Sequence, residues 1–307
     1  MKLKLILIIC LPSFLGLNLK AQSLVDNEAT AETKALYRNL SELAGKHILF
    51  GQQDATNYGH DWSVGENRSD IKDVCGSHPA MIGDDFDKLT VKDEKRLEEG
   101  RKHLLKTITD TYERGGVITI CWHSANPVNG GSFYWEKNPV EAVAHILPGG
   151  TKHQQYLLYL DRIAEVAHEA KGKGGELIPI IFRPFHEFDG DWFWWGSAHC
   201  TKKEFICLWR FTVDYLKDTK QVHNFLYAFS PDCKFTTGKE YLERYPGDKY
   251  VDILGTDNYW DFRPDGANNP NLAVDKLKIV SDIAKNKQKL AALTETGLEG
   301  VTNPEWY

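Results

Sequence analysis

Seven short apolar runs punctuate the chain: His47–Phe50, Ala80–Ile82, Val117–Trp122, Leu177–Phe182, Phe225–Phe229, Val251–Leu254 and Leu290–Leu293. None alternates apolar with polar residues, so each reads as a strand buried on both faces. Between them, apolar positions recur at helical spacing over Thr30–Ala44, Lys92–Arg114, Gln154–Ala170, Lys202–Thr219 and Leu272–Asn286. Strands alternating with helices predict a parallel sheet, either doubly wound or closed into a barrel. No G-x-G-x-x-G follows the first run and no G-x-x-x-x-G-K-[ST] occurs, which removes support from nucleotide-binding sheets. Polar and aromatic side chains gather instead after several strand ends: Gln52 to Asp54, Asp84 to Phe86, His123 to Pro127, Arg183 to Trp195, Tyr259 with Trp260, and Glu295. A site assembled from many strand ends is what a (β/α)8 TIM barrel offers.

Only seven strands are visible, because the chain stops at Tyr307 shortly after the seventh run. Asn303, Pro304 and Glu305 read as the cap and first turn of a helix. The expectation is an α/β barrel whose eighth strand and helix are missing, C-terminally incomplete, with two open sheet edges. No Ser/Pro-rich linker or internal repeat divides it, so residues 22–307 are expected to form one catalytic domain.

Residues 1–21 carry Lys2 and Lys4 followed by an apolar stretch from Leu5 to Leu17, the pattern of a secretory signal peptide, with cleavage expected after Ala21. That stretch is short for a membrane span of about 20 residues and has no later counterpart, so an exported chain, periplasmic or extracellular, is expected without a span. Cys10 lies inside the apolar core after Ile8 and Ile9, where a lipid-anchoring signal wants a small residue. Beyond the signal, Cys75, Cys121, Cys200, Cys207 and Cys233 are odd in number and irregularly spaced, implying neither a zinc site nor a disulfide framework.

Charge narrows the partners. The 37 Lys and Arg against 43 Asp and Glu give a net charge of −6 without a basic block, which disfavours nucleic acid. Nine Trp and thirteen Tyr against two Met weight the chain toward flat, partly apolar ligands, and sugars are such ligands.

The densest chemistry follows the fourth run, where five aromatic residues follow Glu187 within eight positions. Burial among rings disfavours the carboxylate and keeps the acid protonated near neutral pH, fit to serve as a general acid. Glu295 closes the seventh run, 108 residues later, or three units of 36. That matches strands four and seven of a barrel whose repeat is roughly 30 to 35 residues. Two carboxylates facing one another across a barrel mouth are the equipment of a glycosidase, retaining if about 5 to 5.5 Å apart.

The segments Arg183-Pro184-Phe185-His186-Glu187 and Asp191-Trp192-Phe193-Trp194-Trp195-Gly196, with Trp122-His123 upstream and Thr294-Glu295-Thr296-Gly297 downstream, resemble glycoside hydrolase family 26. Gly51-Gln52-Gln53-Asp54 is similar as well, and the resemblance runs from about Ala29 to the end. It implies a retaining barrel enzyme acting on β-1,4-mannan, without a cofactor or metal and as a monomer. The same mechanism on β-1,3-xylan or mixed-linkage β-glucan, or a non-catalytic carbohydrate-binding role, are the alternatives. On this resemblance Glu187 is the acid/base and Glu295 the nucleophile. Tyr259 would hydrogen-bond the nucleophile, His186 would position the sugar or tune Glu187, and His123 and Trp192 would line the sugar at the cleavage point. Arg183 would pair with a catalytic carboxylate, Trp122 would line the sugar or equally belong to the core, and Trp135, Trp194, Trp195 and Trp260 are weaker subsite candidates, each as readily structural. The metal-dependent alternative, drawing on His60, Asp61, His123, His186 and Asp232, lacks the paired-histidine motifs of such hydrolases.

Overall fold

The computed structural model describes residues 24–63, 65 and 67–302. The expected signal segment and the expected cap at Asn303–Glu305 both lie outside the described residues. Seven parallel strands, β1 (Gly51–Gln53), β2 (Met81–Asp85), β3 (Val117–Cys121), β4 (Ile180–Arg183), β5 (Phe225–Phe229), β6 (Ile253–Asp257) and β7 (Leu290–Glu295), pair in strict chain order. The result is a curled parallel sheet, wrapped by helices, that matches a TIM-type barrel lacking one strand. Among the described residues no eighth strand joins β7 back to β1.

Period-two side-chain alternation divides the interior into two layers. Ile118, Ile120, Phe182, Phe225, Tyr227 and Leu254 point outward and pack beneath the helices in the larger core. Ile181, Leu226, Ala228 and Ile253 point inward and meet Tyr37 from the helix Ala31–Leu43, which closes one end of the barrel. That helix begins at Thr30, whose hydroxyl accepts from the Thr33 N–H at 3.2 Å. The inward rows continue toward the other end as Asp85, Cys121, Arg183 and Asp257, so apolar packing gives way to polar groups at the C-terminal ends of the strands.

Helix ends follow the sequence closely. Thr201 and Glu204 form a reciprocal capping box at the start of Lys202–Asp214. Beyond Asp214 the helix loosens into a wider turn, with the Lys220 N–H reaching back to the Tyr215 carbonyl at 2.9 Å.

The first strand is the main correction. His47–Phe50 was the expected strand, yet pairing begins at Gly51, where Gly51, Gln52 and Gln53 oppose Met81, Ile82 and Gly83. Ile48 and Phe50 are exposed, so the apolar run is an approach to the sheet edge rather than part of it. The seventh strand, the other edge, is likewise only half-buried, in contrast to the fully buried β4, β5 and β6.

Candidate active site

The fourth strand ends in Arg183, whose guanidinium is buried at the bottom of the mouth. Nη1 donates to Asp257 Oδ2 at 2.7 Å and to Ser230 Oγ at 3.1 Å, while Nη2 is bonded to Glu295 Oε1. One cation thus serves two carboxylates brought in by β6 and β7. Their strands pair Asp257 with Glu295 after an irregularity at Thr256, and Thr294 Oγ1 holds Asp257 Oδ1 at 2.6 Å. The close approach of Thr294 to β6 requires glycine at position 255, where a Cβ would lie 2.8 Å from the Thr294 hydroxyl oxygen. The second oxygen of Glu295 accepts from the Tyr259 hydroxyl at 2.9 Å. Burial, then the neighbouring Glu295 carboxylate, holds that phenol protonated far above its usual range.

Glu187 stands four residues after Arg183, on a turn whose backbone is left-handed at Phe185 (φ 49°) and at Glu187 itself (φ 53°). For residues with a Cβ such angles cost about 1–3 kcal/mol each and persist only when the surroundings hold them. Here the Glu187 N–H donates to the Ser230 carbonyl at 2.9 Å, and its own carbonyl accepts from the Gly190 N–H at 3.0 Å. Phe185 is buried among Trp122, Trp194, Trp195, Phe205 and Trp209. The turn then folds Trp192 back, and its indole N–H donates to Glu187 Oε2 at 2.7 Å. Burial, reinforced by the charges of Glu295 and Asp232, pushes the Glu187 carboxyl up to about 8. At neutral pH it is a protonated acid beside a carboxylate paired with an arginine.

His123, one residue past Trp122 after β3, is clamped by Asp85, which accepts from its N–H at 3.0 Å and pairs with Nδ1 at 2.5 Å. Burial opposes the imidazolium, but the Asp85 hydrogen bond and charge outweigh it and raise His123. His186 meets His123 through Nε2 at 3.1 Å, edge to face, and is pushed well down by burial and by the Arg183 and His123 charges. Its Nδ1 is buried without a hydrogen-bond partner. The two neighbouring imidazoles are therefore shifted in opposite directions, His123 toward its charged form and His186 toward its neutral one.

Glu187, Glu295, Arg183, Tyr259 and Trp192 are linked by bonds running through Ser230, and the bonded His123–His186 pair lies beside them, with a His186 ring nitrogen within 4.8 Å of Asp257 and Glu295 carboxylate oxygens. Trp260 is 55% exposed just beyond Tyr259. Trp122 is not brought to the site. It faces outward from the end of β3, fully buried, stacked on Tyr156 at 6.0 Å and packed on Phe182 and Phe185. Trp194 and Trp195 are also fully buried, their N–H groups bonded to the carbonyls of Ser124 and His186 at 2.8 Å. Trp135 is half-buried with its ring stacked on His199 at 3.6 Å.

Asp85 stood among the expected strand-end residues without an assigned role, and Ser230 and Asp257 were not singled out, yet these three orient the site from behind. Their signal was an inward-facing polar residue at the end of an apolar strand. Among the described residues, two sets of donors lie within cation-sharing distance, Asp85 with Cys121 and His123, and His186 with Asp257 and Glu295. Both are committed elsewhere, since Asp85 accepts two bonds from His123, and Arg183 already neutralises Asp257 and Glu295. His60 and Asp61 pair with each other at 3.1 Å on the exposed surface. All five cysteines from Cys75 to Cys233 are free thiols.

A carboxylic acid on the turn after β4 and a carboxylate at the end of β7 of a parallel barrel are the equipment of a glycoside hydrolase. The chain belongs to glycosyl hydrolase family 26, whose model matches residues 25–301. It is 40% identical over 285 residues to a mannan endo-1,4-beta-mannosidase of Bifidobacterium adolescentis, a match covering 90% of this chain and 28% of that enzyme. The chain thus spans little more than a quarter of that relative's length. A β-mannanase of family 26 from Bacteroides ovatus superposes with a TM-score of 0.82 at 40% identity, over 90% of this chain and 79% of that one. A modular endo-β-1,4-mannanase from Cellulomonas fimi gives 0.82 at 39% identity, over 90% and 62% respectively.

Proposed function

We propose that the protein is a retaining β-mannanase that cleaves β-1,4-mannosidic bonds in mannan, galactomannan or glucomannan. The observation that carries this is the unequal pair: Glu187 held neutral by burial and aimed by Trp192, and Glu295 held by Arg183 and Tyr259. Glu187 gives its proton to the leaving glycosidic oxygen while a Glu295 oxygen bonds to the anomeric carbon and the C–O bond breaks. Esterification removes the Glu295 charge, the largest electrostatic contribution raising Glu187, so the acid weakens its hold on a proton when it must become a base. Glu187 then takes a proton from water, the water oxygen bonds to the anomeric carbon, and Glu295 leaves as carboxylate.

In this reading Arg183 and Tyr259 orient the nucleophile. His123 and His186 line the sugar at the cleavage point, Trp192 both aims the acid and stacks beside it, and Trp260 offers an exposed platform at the rim. The reaction requires no cofactor. Residues 1–21 act as an export signal, residues 22–307 form the catalytic unit, and the enzyme works as a monomer in the periplasm or outside the cell. No helix among the described residues is long and apolar enough to cross a membrane.

Initial rates of reducing-end release from soluble β-1,4-mannan, β-1,3-xylan and mixed-linkage β-glucan test the substrate. Mannan is expected to be turned over fastest, with Glu187→Ala and Glu295→Ala each losing that rate. A xylan or glucan preference, or binding of intact mannan without turnover, would overturn the reading.

A further inference from the structure

The two glutamates come from different strands, yet one short segment ties both to a common frame. Ser230, Pro231 and Asp232, immediately after β5, receive bonds from both sides. Ser230 Oγ accepts from Arg183, the residue that holds Glu295, and the Ser230 carbonyl accepts from the N–H of Glu187. The Pro231 carbonyl accepts from the Asp257 N–H at 2.9 Å, and the Asp232 N–H donates to Asp189 Oδ1 at 2.7 Å.

That last bond has no role in the mechanism above. Asp189 is two residues beyond Glu187, half-buried, and its carbonyl also accepts from Ser197 Oγ at 3.0 Å. Its side chain is the second of two anchors fixing the left-handed Glu187 turn to the segment after β5, the first being Glu187 N–H to Ser230. Without it, the Glu187 turn keeps one hydrogen bond to the segment after β5, the backbone bond at Glu187, while Ser197, His199 and Trp135 hold the carbonyls of Asp189, Gly190, Asp191 and Trp192 from other sides.

Resting on the retaining-hydrolase reading, we propose that Asp189 is a positioning residue for the general acid: by accepting from the Asp232 N–H, it aims Glu187 at the leaving oxygen. The groups facing Asp189 are Asp232 and Lys234 from the segment after β5 and Tyr241 from the short helix Gly238–Tyr241. Burial and the Asp232 charge raise Asp189 to about 7, so around neutral pH it passes between carboxylate and neutral acid. Both forms offer the acceptor oxygen that the Asp232 N–H needs, and so does an amide.

The test uses leaving-group dependence. A dinitrophenyl β-mannobioside departs without protonation, so kcat/KM on it does not need the acid, whereas kcat/KM on mannan does. Asp189→Ala is expected to lose about 10- to 100-fold on mannan, in keeping with the cost of a slightly misplaced catalytic group, while changing less than about twofold on the activated substrate. Asp189→Asn, which retains the acceptor oxygen, is expected to keep most of the mannan rate. Equal losses of Asp189→Ala on both substrates, no loss on either, or an Asp189→Asn as impaired as the alanine variant would overturn the proposal. Glu187→Ala runs alongside: if it matches the wild type on mannan, the acid/base assignment itself fails, a result distinct from all three.

Discussion

Replacing Trp192 by Phe keeps an aromatic ring beside the acid and deletes one hydrogen bond, the indole N–H to Glu187 Oε2 at 2.7 Å. That bond is stronger to a carboxylate than to a neutral carboxyl, about 1.5–3 against about 0.5–1.5 kcal/mol. The difference, roughly 1–1.5 kcal/mol, corresponds to about one pKa unit. In the wild type, burial and the Glu295 and Asp232 charges place Glu187 at about 8 despite this bond, which pulls the other way. As the proposed acid, Glu187 must be protonated to act first, so kcat/KM on mannan is expected to fall as pH rises through about 8. In Trp192→Phe the limb should move upward to about 9 even if the maximal rate drops through lost sugar contact. The assay is kcat/KM for a soluble manno-oligosaccharide from about pH 5 to about pH 10, wide enough to bracket the limb in both proteins, with folding followed in parallel by circular dichroism. A limb that stays in place or moves below the wild-type value would refute the assignment of that limb to Glu187.

Arg183→Met leaves the fully buried Asp257 carboxylate without its cation, and urea unfolding should show a loss of about 3–5 kcal/mol; a loss below about 1 kcal/mol would contradict the buried-pair reading. Asp85→Asn should lower the His123 pKa, since burial then acts on it without the opposing Asp85 charge, and imidazole NMR titration reads this directly. His123 is raised and Asp85 is lowered in the fold, so the pair stabilises fully only between the unfolded values, about 3.9 and about 6.5. The stability difference between wild type and Asp85→Asn should therefore shrink above that window, as His123 loses its proton, and below it, as Asp85 gains one. Trp122→Ala should cost about 3–5 kcal/mol of stability, measured in the same urea series, yet leave KM for mannan within about twofold, because the ring is in the outer core.

Much of this was legible because local and tertiary signals agreed. Phe225–Phe229 is an unbroken apolar run and an unbroken strand, buried on both faces. The helical spacing expected from Thr30 and from Lys202 is realised in helices capped by Thr30 and Thr201. The first strand was displaced because edge pairing depends on backbone partners, and Gly51, Gln52 and Gln53 carry no apolar mark. Glu187 stood out through its aromatic neighbours, and Glu295 through the barrel spacing. Trp122 was open between sugar and core because it adjoins His123, and strand alternation turns the two to opposite sides and puts the indole in the core. Asp257 and Ser230 could not be read, since their meaning lies in bonds to Arg183, 74 and 47 residues away. Nothing along the chain announces which buried acid will meet which arginine.

A slow-turnover 2-deoxy-2-fluoro mannoside tests the proposed nucleophile directly. Incubation followed by proteolysis and mass spectrometry should find one glycosyl ester, on the peptide carrying Glu295. An ester on Glu187, or turnover of the normal substrate with inverted anomeric configuration, would contradict it.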